Sequence, residues 1–370
     1  MMIYKNIKNL FVVSHLGQLA KVESLIQEKK LKDNMLIVLY THFDLTMPSV
    51  IDNHYNKKYF TCVEQLKLPI RPNKINIKKL STMKEKYHQL IDKLNLYNLY
   101  VLSFEGHYNL LLDYASTHNI ILHLIEEGTA IYKEDRQSYN YSKKEKLHYL
   151  LIKYSPFFKD LKVSLKRYRK FDNIYVSFPE LIRDKFDAKN IEYFFSYEKV
   201  SIEEEKNINK VIEKYSINSS DMVYVNQRYN IDESLFVETV ISALLVFNQK
   251  FKGRVFIKMH PKDNDSLVQL FQKKIFMLNI EKEIILIKDK HFLVEPIIMT
   301  VRPKAVIGLT STVLLYVHKI DKNIKAYSIA PLLINTIEDS EAKRLILEHF
   351  KILNKFQCVV NIENKKDIRL

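Results

Sequence analysis

Three short stretches of this 370-residue sequence place chemically capable residues at the end of an apolar, strand-like run. In HLIEEGT, Glu126 and Glu127 follow such a run and precede Gly128. Successive side chains of a strand point to opposite sides, so one carboxylate would face a site and the other a structural partner. Like charge and partial burial raise the pKa of a carboxyl group, which helps it to accept a proton. The alternative is a solvated acidic turn.

The second stretch is IKMHPKD, in which His260 and Pro261 follow a strand-like run. Proline cannot continue a strand ladder and therefore defines the exit of the chain. A histidine at this position can donate a hydrogen bond to a phosphate oxygen, and Lys258 adds positive charge nearby. A loop histidine without a role is the alternative.

The third stretch is IGLTSTVLL, in which a strand-like run ends at Gly308 and Thr310, Ser311 and Thr312 open a helical pattern. Hydroxyl groups and free backbone N–H groups at a helix N-terminus form an anion site. Helix capping explains one of the three hydroxyls, so three in succession favour phosphate binding.

Strand-like apolar runs alternate with helical patterns, which predicts an α/β chain with parallel sheets buried on both faces. After NLFVVSH at the N-terminus, the runs cover residues 35–40, 99–104, 119–125, 173–178, 222–227, 254–260, 283–288 and 304–309. A charged helical stretch at 201–216 separates the two sets. We therefore predict two domains, residues 1–200 and 201–370.

Four of the five glycines, Gly17, Gly106, Gly128 and Gly308, closely follow strand-like runs. Ligands of open parallel sheets bind beyond the carboxyl ends of the strands, where glycine permits close approach of the backbone. The pattern predicts a ligand cleft between two facing domains, although each glycine alone could be a simple turn. Gly253 is interpreted as a plain turn.

The composition favours an anionic partner, because 58 Lys and Arg outnumber 43 Asp and Glu. A polyanion, an anionic membrane surface and a phosphorylated substrate all fit this balance. Cys62 and Cys358 match no metal-binding spacing and are interpreted as buried thiols. No secretory signal and no run of roughly 20 apolar residues is visible. We expect a cytoplasmic protein, with a peripheral position at the inner face of the cytoplasmic membrane as the second option.

Residues 141–172 form a basic belt with ten Lys or Arg, three acids and interleaved aromatic residues. Three uses stay open: a solvated surface with ordinary core contacts, a track for an anionic polymer, and a contact with acidic lipid. The candidate polyanion-binding residues are Lys143, Lys144, Lys166, Arg167 and Arg169.

The three stretches, in this order, resemble the motifs of bacterial sialyltransferases, most of all the capsular polysialyltransferase family. EEG at 126–128, HP at 260–261 and TST at 310–312 correspond to its acidic, His-Pro and Ser/Thr motifs, and residues 294–312 resemble its Glu-containing segment. The loop SHLGQL resembles the family's first strand-to-helix turn, with His15 in place of the usual proline. The resemblance implies a GT-B fold, in which two Rossmann-like domains face each other across a central cleft. The N-terminal domain would bind the acceptor and the C-terminal domain the CMP-sugar.

The resemblance also implies residue roles. Glu126 would be the general base on the acceptor hydroxyl, with Glu127, Gly128 and Gly17 in support. His260 would stabilise the departing phosphate of CMP. The implied donor-binding residues are Lys258, Pro261, Glu295, Thr310, Ser311, Thr312 and Gln227.

No metal or other cofactor is expected, because histidine, hydroxyls and a helix terminus can neutralise the phosphate. Asp263-Asn264-Asp265 has the Asp-x-Asp form of metal-dependent glycosyltransferases, but a helix N-cap cluster is the simpler interpretation.

The implied activity is inverting, metal-independent transfer of sialic acid from CMP-sialic acid to a sialylated oligosaccharide or polysialic acid, extending capsular polysialic acid. An anionic inner-membrane surface or a capsule assembly complex is a further candidate partner. The alternatives are a mono-sialyltransferase of lipooligosaccharide and a capsule polymerase with another CMP- or CDP-linked donor. An alternative from a different functional class is a polyanion- or nucleic-acid-binding module. Without an RNP, zinc or helix-turn-helix signature, no nucleic acid partner is expected.

Overall fold

The chain forms two compact units, Met1–Lys199 (unit 1) and Val200–Leu370 (unit 2). The structure is a computed structural model that describes residues 6–42, 45–70, 74–133, 141–197, 202–261, 263–289, 292–338 and 340–368. Each unit is built around one parallel sheet with helices on its faces.

The described part of unit 1 contains a seven-stranded sheet in which every pair of neighbours is parallel. Its strands are β1 (Asn9–Val13), β2 (Asn34–Tyr40), β3 (Cys62–Lys67), β4 (Asn98–Val101), β5 (Ile121–Ile125), β6 (Lys170–Val176) and β7 (Asp187–Tyr193). The spatial order is β3-β2-β1-β4-β5-β6-β7. The order reverses between β1 and β4, as in a Rossmann sheet, and ligands bind at such a switch point.

The helices of unit 1 cover the sheet with apolar faces. They are α1 (Leu16–Lys29), α2 (Met47–Asp52), α3 (Ile77–Asp92), α4 (Tyr108–Thr117) and α5 (Lys143–Tyr154), with 3-10 segments at Thr129–Tyr132, Pro156–Leu165 and Pro179–Leu181. In α1, Leu19, Val22 and Ile26 recur at helical spacing and pack with Phe11 and Leu36 of the sheet. This periodicity predicts one buried face, and the structure has it.

Unit 2 repeats the arrangement with six parallel strands in its described part. The strands are β8 (Met222–Val225), β9 (Val255–Lys258), β10 (Ile284–Ile287), β11 (Ala305–Gly308), β12 (Lys325–Ser328) and β13 (Val359–Asn361), in the order β10-β9-β8-β11-β12-β13. The helices are α6 (Ile202–Tyr215), α7 (Glu233–Phe251), α8 (Asp265–Met277), α9 (Val294–Val301), α10 (Thr312–Ile320), α11 (Ala330–Thr336) and α12 (Glu341–Leu353), followed by a 3-10 turn at Lys365–Asp367. The switch point of this sheet lies between β8 and β11.

One helix in the described residues, α7, is long and apolar enough to cross a membrane. Nine of its residues are buried, and Val240, Leu244 and Phe247 belong to the core cluster of unit 2. The core helix of a soluble protein often has the same length and composition, so these two properties are weak evidence for a membrane span.

All nine predicted strand-like runs overlap a strand of the sheets, but four strands in the described residues were missed. Three of these, β3, β7 and β13, are edge strands. Edge strands are only partly buried and therefore lack the continuous apolar run that reveals a central strand. The fourth, β12, has the sequence KAYS, in which Lys325 and Ser328 interrupt the apolar run.

Candidate active site

The polar residues predicted from the three motifs follow the carboxyl ends of parallel strands, which share one edge of each sheet. In unit 1, the turn that contains His15 follows β1, the acidic pair follows β5, and Ser177 follows β6. Side chains that are far apart in sequence therefore meet at this edge.

Glu126 points into unit 1 and is only 2% exposed. Its Oε2 accepts a hydrogen bond of 2.7 Å from the Tyr132 hydroxyl and one of 2.6 Å from the Ser177 backbone N–H. Burial, followed by the charge of Glu126, raises the pKa of Tyr132 well above its usual value, which keeps the phenol a donor. Two fixed donors therefore define the orientation of this carboxylate.

Glu127 points the other way and is partly exposed, as expected for successive residues that leave a strand. Its Oε1 lies 2.9 Å from His15 Nε2 and accepts a hydrogen bond of 2.9 Å from Gln18 Nε2. Partial desolvation alone would raise the pKa of Glu127, but the hydrogen bond and charge of His15, with Gln18 and Lys21, hold it below its usual value. Glu127 thus ties the turn after β1 to the end of β5.

Gly128 and Gly17, the two predicted supporting glycines, flank this network in the chain. Gly128 precedes the 3-10 turn Thr129–Tyr132, and Gly17 lies in the first turn of α1. A Cβ at Gly17 would lie 3.3 Å from the His15 ring, so a side chain there would press on the histidine that holds Glu127.

Arg167, which we predicted to bind an acidic polymer, holds the turn that follows the acidic pair. Its guanidinium donates to the backbone carbonyls of Lys133, Ile131 and Ala130, at 2.5, 3.1 and 3.3 Å. It also lies against the ring of Phe104, 4.6 Å from the centroid, and that of Phe186, at 5.0 Å. Because Tyr132 belongs to this turn, Arg167 helps to position the phenol that contacts Glu126.

The other predicted polyanion-binding residues differ from Arg167 in their exposure. Lys143 and Lys144 open α5, Lys166 follows the 3-10 segment Pro156–Leu165, and Arg169 precedes β6; all four are exposed.

In unit 2, two predicted donor-binding residues meet across the switch point. Gln227 follows β8 and accepts a hydrogen bond of 2.6 Å from the backbone N–H of Thr310, which follows β11. The Thr310 hydroxyl pairs with the Tyr229 hydroxyl at 2.5 Å, and Thr310 is fully buried. Burial raises the pKa of Tyr229 to about 12. Thr310 therefore tethers the turn internally.

Ser311 and Thr312 stand at the start of α10. Ser311 is the N-cap, and its Oγ accepts from the Val313 backbone N–H at 3.3 Å. A serine hydroxyl that accepts one hydrogen bond still has its own proton to donate. The helix start therefore offers a hydroxyl donor together with the positive end of the helix dipole, which suits an anion.

The His-Pro turn after β9 is held by Asp263. The Asp263 Oδ2 accepts from the His260 backbone N–H at 2.7 Å and from Asn226 Nδ2 at 2.8 Å. The Asp263 N–H donates back to the His260 carbonyl at 3.0 Å, which closes the turn around Pro261. The turn is thereby fixed next to the end of β8, where Asn226 lies.

The Asp-x-Asp sequence serves this turn and the following helix. Asn264 is the N-cap of α8 and accepts from the Leu267 backbone N–H, while Asp265 lies in the first helical turn. Among the described residues, no group of three or more His, Cys, Asp or Glu side chains is arranged to hold a metal ion.

Lys258 and Glu295 are both buried in unit 2. Lys258 Nζ donates to the Met259 carbonyl at 2.7 Å and lies 4.5 Å from the centroid of the Phe292 ring. Glu295 lies in the first turn of α9, where a carboxylate interacts favourably with the helix dipole.

Sequence reasoning missed several residues that complete the two clusters: Gln18, Tyr132, Ser177, Asn226 and Tyr229. None belongs to a motif with a chemical signature. Ser177 contacts Glu126 through tertiary structure, and Tyr132 reaches it through the 3-10 turn that follows the acidic pair. Sequence spacing reveals neither contact. Gln18 had one usable signal, since it lies in the loop SHLGQL next to Gly17.

Comparison with known proteins agrees with this architecture. The sequence profile of the family described as alpha-2,8-polysialyltransferase matches residues 9–330. Comparison with curated protein sequences gives no match.

Solved structures with the same fold include the GT-B domain of the sialyltransferase from Photobacterium damselae, with a TM-score of 0.51, 12% identity, and coverage of 98% of this chain and 99% of that chain. The UDP-GlcNAc 2-epimerase from Methanocaldococcus jannaschii has a TM-score of 0.55 and 10% identity, with coverage of 97% of this chain and 90% of that chain. Arabidopsis thaliana UGT89C1 complexed with UDP-L-rhamnose has a TM-score of 0.53 and 11% identity, with coverage of 96% of this chain and 84% of that chain. At these identities the likeness shows the fold alone. It confirms the predicted class, a GT-B chain with two Rossmann-like parallel sheets.

Proposed function

The chain belongs to the alpha-2,8-polysialyltransferase family, and on that premise we propose that it transfers sialic acid from CMP-sialic acid to a sialylated glycan, with inversion at the anomeric carbon. The family confirms the resemblance of the three motifs and makes the chain a glycosyltransferase of the sialyltransferase type. A nucleotide-sugar donor and a glycan acceptor follow from that assignment. The observation that carries the proposal is the profile match across 9–330, which contains all three motifs.

In this proposal unit 1 binds the acceptor and supplies the base. Glu126 takes the proton of the acceptor hydroxyl, in agreement with the first acid of the family's acidic motif. The fixed donors Tyr132 and Ser177 support this role, because they orient the carboxylate before the substrate binds. Glu127 acts as a structural partner that fixes the loop after β1 through His15 and Gln18.

Unit 2 binds the donor and stabilises the leaving group. Ser311 and Thr312 contact the CMP phosphate at the start of α10, and the His260 side chain donates a further hydrogen bond to it. Thr310 and Gln227 hold the phosphate-binding turn in place. Lys258, Pro261 and Glu295 line the remainder of the nucleotide site, with Glu295 on the ribose hydroxyls.

The reaction is a single displacement. The acceptor oxygen forms a bond to the anomeric carbon while the bond from that carbon to the phosphate oxygen breaks. The proton of the acceptor hydroxyl passes to Glu126, and CMP leaves with the bonding electrons. Fixed donors on the phosphate stabilise the negative charge that develops on it, so the protein needs no further group for this step.

We place this reaction in the cytoplasm, with repeated transfer that extends the polysialic acid of a capsule. The net charge of +15 supports an anionic polymer as acceptor, because each added sialic acid carries a carboxylate. Binding of the polymer should therefore weaken steeply as salt is raised.

The test is incubation with CMP-sialic acid and an oligosialic acceptor in the presence of EDTA. We compare wild type with Glu126→Gln, Glu127→Gln, His260→Ala and Ser311→Ala, and His318→Ala on the exposed side of α10 is the control. Glu126→Gln and His260→Ala should lose at least a hundredfold in kcat, and the control should lose nothing. Full activity of both variants would exclude the assigned roles.

The same assay separates the two acids and the metal question. Loss of activity in Glu127→Gln with retention in Glu126→Gln would reverse their assignment. A requirement for added divalent metal would contradict the metal-independent mechanism. Chain-length analysis of the products distinguishes repeated from single transfer.

A further inference from the structure

Helix α5 turns its apolar side chains outward. Apolar residues recur along it at the i, i+3, i+4, i+7 spacing of one helical face, a pattern that normally marks the buried side. Here they are exposed: Leu147 by 57%, Leu150 by 50%, Leu151 by 40% and Tyr154 by 69%. Ile152, which lies on the other side of the helix, is fully buried. The helix therefore packs through Ile152 and presents its apolar stripe to solvent.

A further exposed apolar side chain follows the end of the helix in sequence. Phe157 follows Pro156 at the start of the next 3-10 segment and is 90% exposed. A single exposed hydrophobic residue is ordinary, but several exposed apolar residues grouped on one helix face mark a candidate interaction surface. We refer to Leu147, Leu150, Leu151, Tyr154 and Phe157 together as the apolar ridge.

Basic residues surround the apolar ridge. Five lysines on α5 and the adjoining 3-10 segment are exposed: Lys143, Lys144, Lys146, Lys153 and Lys159. The two acids of this region are engaged in ion pairs, because Glu145 lies 3.5 Å from Lys74 and Asp160 lies 2.9 Å from Lys84. Glu145 also closes the capping box with Ser142, which fixes the start of the helix. The exposed face is consequently apolar and positively charged at the same time.

We propose that this face docks on the surface of an anionic lipid bilayer, with the apolar ridge inserted among the acyl chains and the lysines on the headgroups. A helix with an exposed apolar stripe flanked by lysines has the composition of an interfacial helix. The lysine charges complement anionic headgroups, and their methylene stems can lie along the bilayer while the ammonium groups stay in water. An acidic sugar polymer would engage the lysines but would leave the leucines and Phe157 in water. The inference is independent of the transfer chemistry.

The experiment is cosedimentation of the full chain with vesicles of phosphatidylcholine alone and of phosphatidylcholine with phosphatidylglycerol, at low and high salt. Two variants remove one component each. Leu147→Gln/Leu151→Gln/Phe157→Gln removes the apolar part and keeps the helix propensity of α5, because glutamine and leucine are similar helix formers. Lys146→Gln/Lys153→Gln/Lys159→Gln removes charge.

Wild type should bind phosphatidylglycerol vesicles at least tenfold more tightly than phosphatidylcholine vesicles, and less tightly in high salt. The apolar variant should lose at least tenfold in vesicle affinity, and the lysine variant about fivefold for each lysine removed. Two matched controls should bind as wild type. Phe276→Gln/Met277→Gln removes equally exposed apolar side chains from α8, and Lys57→Gln/Lys58→Gln/Lys93→Gln removes exposed lysines elsewhere in unit 1.

Several outcomes would overturn the inference. Equal affinity of wild type for vesicles with and without phosphatidylglycerol would overturn it, and so would variants that bind vesicles as tightly as wild type. Loss of polysialic acid binding in the lysine variant with unchanged vesicle binding would identify a polymer track instead. A change in the oligomeric state of the apolar variant without a change in vesicle binding would identify a self-association surface. Transfer to a soluble acceptor should persist in both variants, so failure of docking and failure of the proposed activity are distinguishable.

Discussion

Glu126 and Glu127 are neighbours in sequence, but the folded chain gives them different surroundings. Glu126 is buried against a phenol and a backbone N–H, whereas Glu127 is partly exposed and contacts His15. The alternation of side chains at the end of a strand separates the two carboxylates. Substituting the hydrogen-bond partners of each carboxylate therefore tests its role separately.

Tyr132→Phe tests whether the orientation of Glu126 matters for catalysis. The change removes one hydroxyl that donates to the carboxylate at 2.7 Å and keeps the ring. A hydrogen bond to a charged group contributes about 1.5–3 kcal/mol, so we expect kcat to fall by about tenfold to a hundredfold. The KM for CMP-sialic acid should stay unchanged, because the proposed donor site lies in unit 2.

Tyr114→Phe is the matched control for this prediction. It removes a hydroxyl that donates to Asp92 at 2.7 Å on the surface of unit 1. Steady-state kinetics of both variants should show an effect only for Tyr132. An equal fall in kcat for the two variants, or a selective rise in the KM of the donor, would argue against an orienting role.

At the scale of the element, the 3-10 turn Thr129–Tyr132 depends on side chains from later in the chain. Arg167 donates to three of the carbonyls of residues 130–133, and Lys185 donates to the carbonyl of Tyr132. A short 3-10 segment has few hydrogen bonds of its own. The element that follows the acidic pair is therefore stabilised mainly by tertiary contacts.

Arg167→Lys should disturb this turn while preserving the charge. An ammonium group cannot reproduce the planar fork that reaches several carbonyls or the stacking against Phe104 and Phe186. We expect a loss of about 2 kcal/mol in the free energy of unfolding, together with a fall in kcat. Arg169→Lys, at an exposed position, should change neither. Denaturant unfolding and steady-state kinetics check both quantities, and identical behaviour of the two variants would contradict the assignment.

A second prediction at this scale concerns the junction between α7 and β9. A Cβ added at Gly253 would lie 2.2 Å from the Ser220 carbonyl oxygen, so the backbone would have to shift. Gly253→Ala should therefore lower the free energy of unfolding by about 1–3 kcal/mol.

Gly308→Ala is the matched comparison, because its nearest contact, the Val225 carbonyl, would be at an ordinary 3.5 Å. It should be nearly neutral in thermal unfolding. A larger loss at Gly308 than at Gly253 would contradict the steric argument.

At the scale of the whole molecule, the chain has two parallel sheets, of seven and six strands, and a net charge of +15. Buried histidines make the free energy of unfolding of unit 1 depend on pH. Burial lowers the pKa of His107 to about 3 and that of His123 to about 4, while an unfolded histidine titrates near 6.5. Both residues lie in unit 1 and are neutral when it is folded at neutral pH.

Unit 1 should consequently lose stability in acid. Below about pH 6.5 the unfolded chain binds protons at His107 and His123, whereas the folded unit keeps both residues neutral. The stability that these neutral histidines contribute is complete above about pH 6.5. It is lost as the pH falls toward 4 for His123 and toward 3 for His107. The free energy of unfolding should fall by up to about 2.7 kcal/mol per pH unit from these two groups. Denaturant unfolding across this pH range measures the slope.

Single substitutions assign the slope to the residues. His107→Gln and His123→Gln should each reduce it by about one proton, and His118→Gln, at an exposed position, should leave it unchanged. An equal acid slope in all three variants would show that other groups control the transition.

The sequence alone determined the class of the protein. Strand-like runs alternating with helical patterns predicted two sets of parallel strands, and the three motifs in order predicted the family. These features are readable because central parallel strands need continuous apolar runs, and because each motif is local. Edge strands such as β3 and β7 escaped the prediction, since partial solvation removes their apolar signal.

The tertiary structure decided the contacts between segments that are distant in sequence. Glu127 meets His15 across 112 positions, Thr310 meets Gln227 across 83, and Arg167 holds a turn more than 30 residues earlier. The order of the strands brings these pairs together, and no spacing along the chain encodes that order. The apolar spacing of α5 was likewise visible in the sequence, but only the burial of Ile152 shows that its stripe faces outward. A periodic pattern fixes which residues share a face, whereas the neighbouring elements decide which face is buried.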